Sequence, residues 1–80
     1  MMSLPQPDRT LDARGLLCPL PVIRARQNID GLKSGQVLEV WATDPGSVPD
    51  FQAWCASLGH ELLWSEEPEP GLFRFLIRKR

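Results

Sequence analysis

Eighty residues, 42% hydrophobic and 24% charged, make one domain with one modest core and argue against a disordered segment. The formal net charge of −1 gives no global pull toward nucleic acid, and the chain contains no run of 18 apolar residues that could span a membrane. Two cysteines close at most one bridge, which excludes a disulfide scaffold.

Residues 1–8 carry Pro5 and Pro7 without periodicity and are expected to form a flexible leader. The start, MMSLPQPDRT, has neither a charged nor an apolar signal region, so a cytoplasmic, reducing address is expected. RTLDA (9–13) is a short strand candidate that ends before Gly15. From Pro19 onward, Val22, Ala25, Ile29 and Leu32 recur at three- and four-residue intervals with Arg24, Arg26, Gln27 and Asn28 between them. That spacing predicts an amphipathic helix closed by Gly31 and the Lys33-Ser34-Gly35 step.

QVLEVWAT (36–43) is β-branched and aromatic, is bounded by Gly35 and Asp44-Pro45, and predicts a strand. A second helix is predicted over 47–59. Ser47 and Asp50 suggest a variant capping box, Pro49 suits the first turn, and Phe51, Trp54, Cys55 and Leu58 supply an apolar stripe before Gly59. HELLWSE (60–66) predicts a third strand, EPEPG (67–71) a charged turn, and LFRFLIR (72–78) a fourth strand. The order β-α-β-α-β-β implies an α+β fold: a two-layer α/β sandwich with a four-stranded mixed sheet. Right-handed crossovers place both helices on one face of that sheet.

The segment RGLLCPLPV (14–22) concentrates the chemistry. The first N–H groups of a helix have no intrahelical partner, so prolines there sacrifice no hydrogen bond. Pro19 and Pro21 are therefore expected inside the first turn, with Cys18 at or beside the N-cap. A helix N-terminus favours an anion, and thiolate is the reactive form of cysteine. With no acidic residue within three positions, Cys18 is expected to be an exposed nucleophile of depressed pKa.

LDARGLLCPLPV resembles the signature of the TusA/SirA-like sulfur-carrier family, in which an Asp-x-Arg-Gly-Leu-x-Cys-Pro-x-Pro segment presents a persulfide-forming cysteine. LKSGQVLEV, TDP, GHELL and FRFLIRK are similar to later segments of the same family, so the likeness covers nearly residues 9–80. The resemblance implies a small cytoplasmic sulfurtransferase that accepts sulfane sulfur as a persulfide on Cys18. The donor would be a cysteine desulfurase or a rhodanese, and the acceptor a relay protein with its own cysteine. The implied destination is tRNA 2-thiouridine synthesis; sulfur oxidation, molybdenum-cofactor biosynthesis and a non-catalytic regulatory or adaptor role are the alternatives. No cofactor, metal, membrane or direct nucleic-acid contact is implied, and the free protein is expected to be a monomer.

Asp12, Arg14, Gly15, Pro19 and Pro21 are expected to support the motif. Asp12 would accept hydrogen bonds from the Gly15 turn, Gly15 would supply a positive φ or a close approach, and Arg14 would either cap the turn or assist the thiolate. The chain departs from the family pattern where Thr43-Asp44 replaces a paired acidic step, and where Leu17 and Leu20 are apolar. Leu17, Leu20, Arg24 and Asp44 are therefore candidates for partner docking. The arginines around Cys18 read either as a solvated patch or as a side that faces an acidic partner. Cys55 lies on an apolar stripe and reads as buried filler or as a resolving thiol. His60 lacks the close spacing of a zinc site, and at least two of Trp41, Trp54 and Trp64 are expected to pack in the core.

Overall fold

A computed structural model describes residues 4–80; residues 1–3 of the expected leader lie outside that range. The elements are β1 (Arg9–Ala13), α1 (Leu20–Ile29), β2 (Val37–Ala42), α2 (Ser47–Leu58), β3 (Glu61–Glu69) and β4 (Leu72–Arg78). All six stand in the predicted order. The sheet runs β1-β2-β4-β3. β1 is parallel to β2, with Leu11 opposite Val40, and β4 is antiparallel to both β2 and β3. Asp8 lies at the end of the expected leader, yet its N–H donates to the Val37 carbonyl and its carboxylate accepts from the Val37 N–H. The chain is thus tied to β2 one residue before β1 begins.

Alternation along the strands assigns the two faces. Leu38, Val40 and Ala42 of β2 and Phe73, Phe75 and Ile77 of β4 join Ala25, Ile29, Phe51 and Cys55 in the core, so both helices cover one face. Phe51 and Phe75 pack with ring centroids 4.6 Å apart at the centre. Trp54 packs beside this core against Phe51, whereas Trp41 lies on the other face and Trp64 is exposed. Of the three tryptophans, then, only Trp54 joins the helix-side core. Gly59 closes α2 in the left-handed region at φ 76°, a conformation glycine adopts without a Cβ penalty.

The end of β3 and the cap at the start of α2 depart from expectation. β3 continues through Pro68 to Glu69, where 67–71 reads as a turn from composition. Register irregularities between Leu62 and Trp64 and between Glu66 and Glu69 accommodate the extra length. The sheet edge thereby carries irregular pairing, a proline and four glutamates, features that discourage pairing with another strand. The capping box is also absent: Gly46 is the N-cap, and the Ser47 hydroxyl is buried without a hydrogen-bond partner among the described residues. Asp50 is directed elsewhere, as described below.

The face away from the helices is held by a polar chain across all four strands. Thr10 donates to Glu39 at 3.0 Å, and Arg74 donates to Glu39 at 2.7 Å and to Glu66 at 3.1 Å while its guanidinium lies 5.5 Å from the Trp41 ring centroid. Burial raises the Glu39 pKa, but hydrogen bonds from Arg74, Thr10 and Trp41 outweigh it and leave the carboxyl below its ordinary value. A depressed carboxyl pKa contributes stability that is complete above the unfolded value of about 4.3 and is lost as pH falls through the folded value. Urea midpoints are therefore expected to hold from neutrality to about pH 5 and to fall below it. In Glu39→Gln that acid-side slope should flatten, and an unchanged slope would exclude this ion pair as its source.

Candidate functional site

β1 and β2 are parallel, and each is followed by a helix, so the N-termini of α1 and α2 lie at the same end of the sheet. The candidate site is built there. After Ala13 the chain turns through Gly15, whose φ of 81° suits glycine and whose surroundings are open. Of the two expected roles for Gly15, backbone freedom is the one observed. Its N–H donates to the Thr43 hydroxyl at 2.9 Å, which ties the turn to the end of β2.

Asp12 serves Arg14 rather than Gly15. Its carboxylate accepts from the Arg14 backbone N–H at 3.1 Å and from Arg14 Nε and Nη2 at 2.9 and 3.0 Å. The Arg14 side-chain hydrogen bonds, and then its backbone N–H and charge, lower the Asp12 pKa to about 2. Both side chains are exposed. The guanidinium is thus occupied by Asp12, and no hydrogen bond joins it to Cys18.

Pro19 is the N-cap of α1 at φ −97° and ψ 15°, outside the helical turn, while Pro21 lies within that turn and is buried. Cys18 stands one residue before the cap and is exposed. Its backbone N–H donates to the Asp44 carboxylate, which also accepts from Gly46 at 3.2 Å. A Cβ on Gly46 would come within 3.3 Å of Cys18 Cβ, so the start of α2 closes against the cysteine. From the first turn of α2, Asp50 accepts a hydrogen bond from the Cys18 thiol.

This environment reverses the expected electrostatics. The hydrogen bond to Asp50, then desolvation, then the negative charges of Asp50 and Asp44 raise the Cys18 pKa above the ordinary thiol range. The dipole at the start of α1 acts in the opposite sense but loses to carboxylates in direct contact. Asp50 lies outside the immediate sequence neighbourhood of Cys18, 32 residues away. The available signal is topological: two parallel strands, each leading into a helix, bring both helix starts together. Gly46 meets Cys18 through the same topology.

Leu17, Leu20 and Ile23 are 72%, 43% and 45% exposed and form an apolar border beside Cys18. Arg24 is exposed, and Asp44 is half-buried in its bonds to the Cys18 loop. Cys55 is 3% exposed, with burial pushing its thiol pKa up to about 11. Both cysteines are free. His60 accepts from the Arg80 N–H at 3.1 Å and packs on Trp54. Among the described residues no group of three or more His, Cys, Asp and Glu side chains is arranged to hold a metal ion, and no helix is long and apolar enough to cross a membrane.

Comparison with known proteins agrees along almost the whole chain. The family model described as sulfurtransferase TusA matches residues 9–79. The sulfur carrier protein TusA of Allochromatium vinosum is 56% identical over 72 residues, covering 90% of this chain and 93% of that protein. The protein of the same name from Pseudomonas putida is 46% identical over 74 residues, covering 92% and 91%. Among solved structures, the SirA-like protein of Desulfitobacterium hafniense superposes with a TM-score of 0.78 at 30% identity, covering 88% of this chain and 95% of its own.

Proposed function

The chain belongs to the TusA sulfurtransferase family, and on that premise we propose that it carries sulfane sulfur as a persulfide on Cys18. The observation that supports this most is an exposed thiol on a short loop between two helix starts, bordered by exposed Leu17, Leu20 and Ile23. A carrier needs its sulfur accessible to two partners in turn, and an exposed loop satisfies both encounters with one geometry.

Loading is a thiol-exchange reaction. Cys18 Sγ attacks the terminal sulfur of a persulfide on a cysteine desulfurase or a rhodanese, the donor S–S bond breaks, and the donor sulfur leaves with the electron pair. An acceptor protein's cysteine then attacks the terminal sulfur on Cys18 and releases Sγ. The onward route is tRNA 2-thiouridine synthesis. Leu17 and Leu20, with Arg24 beside them, form the docking border, since exposed apolar side chains next to a reactive atom gain most when a partner covers them.

Incubation with a cysteine desulfurase and cysteine is expected to add the mass of one sulfur atom to the intact protein, removable by reductant. Leu17→Asp should retain its fold but load at least about tenfold more slowly at limiting donor, because a charge placed in a docking border must be desolvated. A wild-type protein that gains no mass from desulfurase or rhodanese donors would overturn the carrier reading. Leu17→Asp loading at the wild-type rate would remove this border from the docking surface.

A further inference from the structure

Cys18 combines two properties that conflict in a simple nucleophile. It is exposed and open to partners, yet its thiol is hydrogen-bonded to a carboxylate and a second carboxylate holds its backbone N–H. A carboxylate on the sulfur and a second beside its backbone N–H disfavour a standing thiolate. The proton must therefore leave during the reaction itself, and Asp50 is the one described group hydrogen-bonded to Sγ. Arg14 is engaged by Asp12, and the Asp44 carboxylate is engaged by backbone N–H groups of Cys18 and Gly46.

We propose that Asp50 is a catalytic residue of the loading step, accepting the Cys18 thiol proton as Sγ attacks the donor persulfide. The inference rests on the carrier reading above. In the balanced step the S–H bond of Cys18 breaks and its proton passes to an Asp50 carboxylate oxygen. The S–H electron pair forms the bond from Sγ to the donor's terminal sulfur. The donor S–S bond breaks, its electron pair leaves on the donor's cysteine sulfur as thiolate, and the terminal sulfur keeps its own hydrogen. Asp50 afterwards returns the proton to solvent. A docked partner screens Cys18 from water, so a base already in contact with the thiol has a path for the proton when bulk hydroxide does not. In the unloaded state the same contact keeps the exposed thiol protonated and slow toward adventitious electrophiles.

Two rates measured on one variant separate this role from a passive charge. In Asp50→Asn, alkylation of Cys18 by iodoacetamide is expected to speed up at pH 7 by about tenfold, because loss of the carboxylate lowers the thiol pKa and solvent takes the proton freely. Sulfur loading at saturating desulfurase should instead slow on the order of a hundredfold, the size of a general-base contribution. That deficit should narrow as pH rises and Cys18 enters the complex already deprotonated, and Asp50→Glu should restore much of the loading rate. Loading of Asp50→Asn at or above the wild-type rate would overturn the assignment while leaving the carrier reading intact. An alkylation profile identical to wild type would also overturn it, since the thiol would then not be held by Asp50. Failure of the wild type to load from any donor would remove the carrier reading itself, and the loading step with it.

Discussion

Cys18→Ser is expected to remain at its unmodified mass after incubation with a cysteine desulfurase and cysteine, whereas Cys55→Ser should gain one sulfur atom at close to the wild-type rate. Both residues are free thiols, so the contrast depends on environment. Cys55 faces the core from α2 at 3% exposure, and burial takes its pKa to about 11. A donor persulfide cannot reach it without local unfolding, and its thiolate fraction near neutrality is negligible. Cys18 lies on an exposed loop with Asp50 on its thiol. Serine preserves the shape of that loop and removes the sulfur, so the effect reads as chemistry and not as a folding defect. Sulfur found on Cys18→Ser would relocate the carrier site; loss of loading in Cys55→Ser with the fold intact would give the buried thiol a part in the relay.

Phe75→Ala should cost about 3–5 kcal/mol of stability, a large share of what an 80-residue domain possesses. Phe75 is fully buried at the centre of β4, 4.6 Å from the Phe51 ring and opposite Val40 of β2. Truncation removes its transfer free energy and leaves a cavity between a helix and a sheet that cannot both close upon it. A urea titration followed by tryptophan fluorescence should show the midpoint falling steeply, with Phe75→Leu losing much less. A loss below about 1 kcal/mol in the alanine variant would mean that α2 collapses onto the sheet. Because α2 also carries Asp50, a mild Phe75→Leu variant that loads sulfur slowly would connect helix seating to the geometry at Cys18.

The order of elements was legible in the sequence because each leaves a local periodicity. Val22, Ala25 and Ile29 mark one helix, Phe51 and Cys55 another, and Phe73, Phe75 and Ile77 alternate along a strand. Cys18 was legible as an exposed thiol beside the start of α1 because its surroundings up to Pro21 are contiguous in the chain. Boundaries governed by pairing partners were less so. Glu67, Pro68 and Glu69 look like a turn by composition, but the neighbouring β4 extends β3 through them with irregular register. Ser47 has the right residue type for a cap, yet Gly46 takes that position and the serine is buried.

By itself, then, the sequence determined the α+β order, the apolar faces that form the core and the single thiol exposed outside it. Those properties follow from spacings of a few residues. Tertiary structure alone decided the chemical state of that thiol. Parallel β1 and β2 bring the starts of α1 and α2 to one end of the sheet, so Asp44 and Asp50, distant in the chain, meet Cys18 directly. Electrostatic contact depends on separation in space, and one carboxylate on the thiol with another beside its backbone N–H outweighs the weaker dipole of its own helix.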